Sequence, residues 1–179
     1  MGQSATLYSI SKYDFSKVQV NPDDFEVFKI RKSYETFEKT YEGLQFVLLK
    51  GRDENASELI QQIFYPKAFV GEPFDYPSAD FDNLPDDVYL LKEPFYYNEP
   101  SIVNAISSLL DNITVDHFQK NFDPDELNVK NIYPSGVWNK KTDPEYAFTV
   151  RDMTKEFVRL KEFSKSANEQ GEYILSYVG

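Results

Sequence analysis

The chain has 179 residues, no cysteine, one histidine, and thirty acidic against nineteen basic residues, for a formal charge of −11. Without cysteine there is no disulfide, thiolate metal ligand or cysteine nucleophile, which fits a reducing compartment. The acidic balance opposes binding to a phosphate backbone, and with basic residues scattered along the chain nucleic acid is not expected as a partner.

No stretch is long and apolar enough to span a bilayer, and no signal-peptide core precedes the first strand, so a cytoplasmic protein without membrane contact is expected. The length suffices for one core, burying about 70% of the unfolded surface, and residues 1–179 are expected to form a single domain.

Taken in order, Ala5 to Ile10 is an apolar, β-compatible run and predicts the first strand, paired with the last. Residues 13–35 are ambiguous, with a turn at Pro22 and room for a short helix after it. Tyr41, Leu44, Val47 and Leu48 recur at helical spacing ahead of Gly51, which predicts a helix from Ser33 or Thr40 to Lys50. A shorter one follows over Ala56 to Phe64. Six prolines between Pro66 and Pro100 exclude continuous helix; strands are expected at Val88–Leu91 and at Phe95–Tyr97, the latter kept near an edge by Pro94.

Asn98 is placed to cap a helix with Pro100 in its first turn and Ile102, Val103, Ile106, Leu109 and Leu110 on its buried side. Thr114 and Asp123-Pro124 open two short helices. Ile132 to Trp138 sets a Pro and a Gly between aromatic anchors, an ordered turn. A long helix from about Val150 to Gln170 carries Met153, Phe157 and Leu160 on one stripe, opened by Thr149 with Asp152 and stopped by Gly171. The closing strand, Tyr173 to Val178, is apolar on both faces and therefore central.

The order of segments resembles the YfbM-like family of bacterial domains of unknown function. The residues that carry the likeness are Met1-Gly2 opening into a strand, Tyr41-Glu42-Gly43-Leu44-Gln45-Phe46 through Gly51, Val103 to Leu110 with Thr114, Ile132-Tyr133-Pro134 followed by Trp138, the long helix to Gly171 and the final strand. The chain departs from the family pattern at Tyr41, where Trp is expected, and in its acidic, Pro-rich middle. The resemblance implies an α+β fold and a bacterial cytosolic setting, and no particular activity; from the strands themselves one mainly antiparallel sheet is expected, with the first and last strands adjacent and the long C-terminal helix across it.

Motifs that would carry chemistry are sparse. Met1, Gly2 and Thr6 fit a short myristoylation pattern that needs a host enzyme many organisms lack. Asn55-Ala56-Ser57 and Asn112-Ile113-Thr114 are sequons that read better as helix starts. Asp75, Asp80, Asp82, Asp86 and Asp87 lack the spacing of a calcium loop. His117 alone excludes a His-rich metal site, and Ser4, Ser9 and Ser135 lack a nucleophile elbow. No glycine-rich phosphate loop is present, so no nucleotide cofactor and no transition metal are expected.

Tyr133 and Trp138 are the candidate binding residues, each an apolar body with one polar tip beside a rigid turn; the competing role is to plug the edge of the core. Three function classes follow. The favoured one is a non-catalytic, acidic protein-interaction module of the inhibitor or immunity type that covers a basic protein partner. The second is a small-ligand binder or enzyme with a cleft lined by the Tyr and Phe of residues 64–97 and carboxylates as acid and base. The third is an accessory structural subunit.

Overall fold

The computed structural model describes residues 2–22, 26–72 and 94–179. The strand expected at Val88–Leu91 and the aspartates from Asp75 to Asp87 lie outside the described residues.

Five strands form one sheet: β1 (Ser4–Ile10), β2 (Ser33–Glu38), β3 (Ala68–Val70), β4 (Phe95–Asn98) and β5 (Tyr173–Val178), in the order β2-β1-β5-β4-β3. Every pairing is antiparallel. The N- and C-terminal strands are neighbours as expected, with Ala5 opposite Val178 and Ile10 opposite Tyr173. β5 lies at the centre, as its two apolar faces required.

Strand alternation divides the interior in two. Ala5, Leu7, Phe37 and Ile174 point into the larger core, which is built with helices α3 (Tyr41–Leu49), α4 (Glu54–Phe64), α5 (Pro100–Asp111), α6 (Val115–Asn121), α7 (Pro124–Val129) and α8 (Val150–Glu169). Tyr8, Ile10 and Leu175 point the other way. There Phe15 of α1 (Lys12–Val20) and Val27 of α2 (Val27–Ile30) close a smaller cluster, and the Phe15 ring stacks on Tyr173 at 3.9 Å. Among the described residues the sheet is thus covered thickly on one face and only partly on the other.

Three expectations change at the level of elements. Of the two starts expected for the helix to Lys50, Ser33 fails because Ser33–Glu38 is the edge strand β2, and Thr40 holds, with α3 beginning after it. The alternation that makes the strand is visible in its register, where Phe37 opposite Ala5 faces the core and Tyr34 opposite Tyr8 faces away. Asn98 does not cap α5; Glu99 is the capping residue, and Asn98 ends β4 with its amide donating to the Gln62 carbonyl at 2.7 Å. Residues 12–20 form a helix, with Phe15 and Val18 buried three residues apart.

Other caps follow the sequence. The Thr114 hydroxyl accepts from the His117 N–H, the Asp123 carboxylate from Asp125 and Glu126, and Thr149 and Asp152 form the reciprocal box that starts α8. Gly171 takes φ +63 at the end of α8, a conformation that carries a steric cost for any side chain.

Candidate functional site

The turn after α7 holds both sequence-predicted binding residues. Trp138 is 3% exposed, with its ring edge-on to Phe122 and Phe148. Its indole N–H donates to the Ile132 carbonyl at 2.9 Å, its backbone N–H to Asn128 Oδ1 at 3.2 Å, and its carbonyl accepts from Asn128 Nδ2 at 2.7 Å. The polar tip that would read a ligand is spent on the turn's own backbone. Gly43 makes room for this ring, since a Cβ there would stand 2.6 Å from Trp138 Cζ2.

Tyr133 is half-buried and sits in a network across three segments. Its hydroxyl accepts from the Gln3 N–H at 3.1 Å, and its own N–H donates to Glu42 Oε2 at 3.2 Å. The buried Tyr41 hydroxyl donates towards Glu42 Oε1 at 3.3 Å and Gln3 Oε1 at 3.2 Å. Burial, with Tyr65 and Glu42 beside it, pushes the Tyr41 phenol up, so it stays a donor at neutral pH. The structure therefore brings Gln3, Tyr41, Glu42 and Tyr133 together as a bracket joining β1, α3 and the turn.

The remaining candidates stand apart. His117 is exposed on α6, with Nε2 3.2 Å from the Asn121 amide. Ser9 Oγ lies 2.9 Å from Ser33 Oγ between paired strands, and Ser135 is exposed in the turn. Among the described residues no group of three or more His, Asp or Glu is arranged to hold a metal ion.

The feature with the shape of a ligand site lies on the thinly covered face of the sheet. A cleft of about 560 Å³ is lined by Tyr8 of β1, Glu26, Val27 and Phe28 at the start of α2, Pro94 and Phe95 of the β4 approach, and Leu175, Ser176 and Tyr177 of β5. Most of its wall is carbon. Leu175 and Val27 are buried in the floor, whereas Phe28 is 69% and Tyr177 56% exposed at the rim. The Tyr8 ring meets Phe28 edge-on at 5.7 Å and stacks with Tyr34 at 6.3 Å, continuing the aromatic surface towards β2. Burial pushes the Tyr8 phenol up against the opposing pull of Arg31.

Glu26 is the one carboxylate among the described lining residues, and the Lys29 ammonium holds it at 2.9 Å. Two basic residues stand beside this lining, Lys29 through its pair with Glu26 and Arg31 over the Phe28 ring. Sequence reading placed an aromatic cleft in residues 64–97; Phe64, Tyr65 and Tyr96 line a separate cleft of about 390 Å³, while Pro94 and Phe95 contribute here. The rest of the lining comes from three other segments that only the sheet order brings together.

No helix among the described residues is long and apolar enough to cross a membrane. No curated protein matches the chain. Among solved structures it is similar to a protein of unknown function, YfbM from Escherichia coli, with 12% identity, a TM-score of 0.63, and coverage of 98% of this chain and 99% of that one. At that identity the likeness speaks for the fold alone. Residues 1–177 match the model of a domain of unknown function, DUF1877, and the chain belongs to that family.

Proposed function

We propose that this chain is a non-catalytic binding module that takes up a small apolar or aromatic molecule in the cleft between β5 and the Glu26–Phe28 segment. The observation that carries this is the lining: aromatic and aliphatic walls from four separate segments around about 560 Å³, within the usual size of small-molecule sites. Among the described lining residues the single, ion-paired carboxylate offers no acid and base pair for catalysis. The test is titration with 4-phenylbutan-1-ol followed by NMR. Saturable shifts at Tyr8, Phe28, Phe95 and Tyr177, with a Kd on the order of millimolar for so few atoms, are expected, and Tyr177→Ala should weaken them. Shifts that never saturate, or that spread evenly over the surface, would defeat the proposal.

The acidic excess supports a second reading, in which the chain covers a basic protein partner as an inhibitor or immunity-type protein. Residues 73–93 contain six acids and one lysine, and a charge of this density steers a cationic partner. Its association rate should fall steeply with added salt, and reversing Asp80, Asp82, Asp86 and Asp87 to Lys should abolish it; a salt-insensitive complex would refute this reading.

A further inference from the structure

We infer that the cleft selects ligands bearing a carboxylate, with Arg31 as the anion anchor at its rim and the aromatic walls holding the apolar remainder. This rests on the cleft being the binding site proposed above, and it adds the chemical class.

The argument starts from how Arg31 is held. Its backbone N–H closes α2 by donating to the Val27 carbonyl at 3.0 Å, which fixes where the side chain leaves the chain. The guanidinium then lies over two rings, 5.1 Å from the Phe28 centroid and 4.6 Å from that of Tyr34. Phe28 is itself a wall of the cleft, and Tyr34 stacks on Tyr8, another wall. Aromatic contact at the faces of a guanidinium leaves its five N–H donors in the plane between, aimed outward in a fixed fork.

Among the described residues those donors are unspent. The chain has four arginines. Arg52 donates to the Leu48 carbonyl, Arg151 to Asp152 and to carbonyls before α8, and Arg159 to Glu35 and Glu156. Arg31 has no hydrogen-bond or ion-pair partner among the described residues. It is also the one whose orientation is set by rings rather than by an acceptor, so little freedom is lost when an acceptor arrives.

The local charge agrees. Glu26, the one acid among the described lining residues, is paired with Lys29, so among the described residues no acid pairs with Arg31 at this rim. The −11 charge of the whole chain acts against any anion at long range. At about 0.15 M salt, however, charges more than about 8 Å away are largely screened, and contact with the fork decides. A carboxylate fits because it accepts two parallel N–H bonds, while a hydroxyl of the same size accepts one and brings no charge.

The experiment compares 4-phenylbutanoate with 4-phenylbutan-1-ol at about 0.15 M salt, on the wild-type chain and on Arg31→Gln and Arg31→Lys, by NMR titration. In the wild type the carboxylate should bind about tenfold more tightly than the alcohol, the factor a charged hydrogen bond supplies. Arg31→Gln should erase that preference and leave the alcohol's affinity unchanged, and Arg31→Lys should keep only part of it. Equal affinities for acid and alcohol in the wild type would overturn the inference while leaving the cleft as a site. An equal loss for both ligands in Arg31→Gln would overturn it too, by showing that Arg31 only shapes the wall. Absence of saturable binding by either ligand would remove the cleft itself.

Discussion

Phe118 of α6 lies flat on Phe157 of α8, the ring planes 6° apart and the centroids 4.4 Å apart, with both rings buried. This stack joins a short helix with little buried surface of its own to the longest helix of the fold, which in turn packs on α5 and β2. Removing Phe157 therefore leaves a large cavity and unseats α6 together. Phe157→Ala should cost about 3 to 5 kcal/mol, measured by denaturant unfolding; a midpoint equal to wild type would show that the stack contributes nothing.

Gly43 sits on a buried side of α3 with the Trp138 ring where its side chain would be. Alanine in a helix interior gains about 1 kcal/mol over glycine, but overpacking costs about 1 to 3 kcal/mol. We expect Gly43→Ala to be destabilising on balance, and to shift the fluorescence of Trp138, which is the chain's only tryptophan. A stabilised variant with unchanged emission would mean that the ring yields freely.

Asp152 and Glu156, one turn apart on α8, should respond to pH in opposite directions. Burial pushes the Asp152 carboxyl up, but the Thr149 N–H and hydroxyl and the Arg151 guanidinium outweigh it and hold the group below its usual range. Its stabilising contribution is present above the unfolded carboxylate pKa and is lost as pH falls through the lower, folded value. Burial pushes Glu156 up, against the pull of Arg159 and with help from Glu35 and Asp152. The folded state then binds the Glu156 proton more tightly than the unfolded one, and stability is lost as pH rises through that range. Thermal melts between about pH 3 and pH 7 should show Asp152→Asn costing about 1 kcal/mol at the upper end only, and Glu156→Gln raising the melting temperature at the same end. Two variants with parallel pH profiles would contradict this.

Arg159 protects an edge. β2 is the outer strand of the sheet, and Arg159 donates to Glu35 Oε2 at 2.9 Å and to the Thr36 carbonyl at 3.3 Å. Exposed ion pairs of this kind add at most about 1 kcal/mol, so Arg159→Ala should melt close to wild type. An uncovered edge carbonyl is nevertheless a template for another strand. The variant should form more aggregate during slow heating, seen by light scattering; scattering identical to wild type would dismiss the edge role.

The parts of the fold that were legible in the sequence are those where local chemistry and packing agree. The stripe Met153, Phe157, Leu160 with the Thr149 box gives α8, and the two-sided apolar run from Tyr173 gives a central strand beside β1. Ser33–Glu38 was less legible because Tyr34 and Phe37 also fit helical spacing, and the choice was made by pairing with β1, a contact remote in sequence. Asn98 has the right chemistry for a cap, but its neighbour Glu99 takes that place while the Asn98 amide satisfies the end of α4. The Trp138 ring was recognisable as an anchor, and its surroundings settle its packing in the core. The cleft was legible only at Phe95, because Tyr8, Phe28 and Tyr177 become neighbours through sheet order and through α2, a helix of four residues without periodicity to betray it.

The seam between β1 and β5 has a kinetic consequence. Ser4 and Gly179, 175 positions apart, exchange backbone hydrogen bonds of 2.7 and 3.0 Å, so the middle of the sheet closes across nearly the whole chain. The entropic cost of closing that span grows only logarithmically with length, so lengthening a surface loop within it changes equilibrium stability little. Contacts of such high sequence separation instead slow the search for the native state, and the β1-β2 pair, closed across α1 and α2, and the α4–α5 region can form long before β5 is in place. Until it arrives, both β1 and β4 present open edges, and the half-assembled sheet is the species most prone to pair with a second molecule.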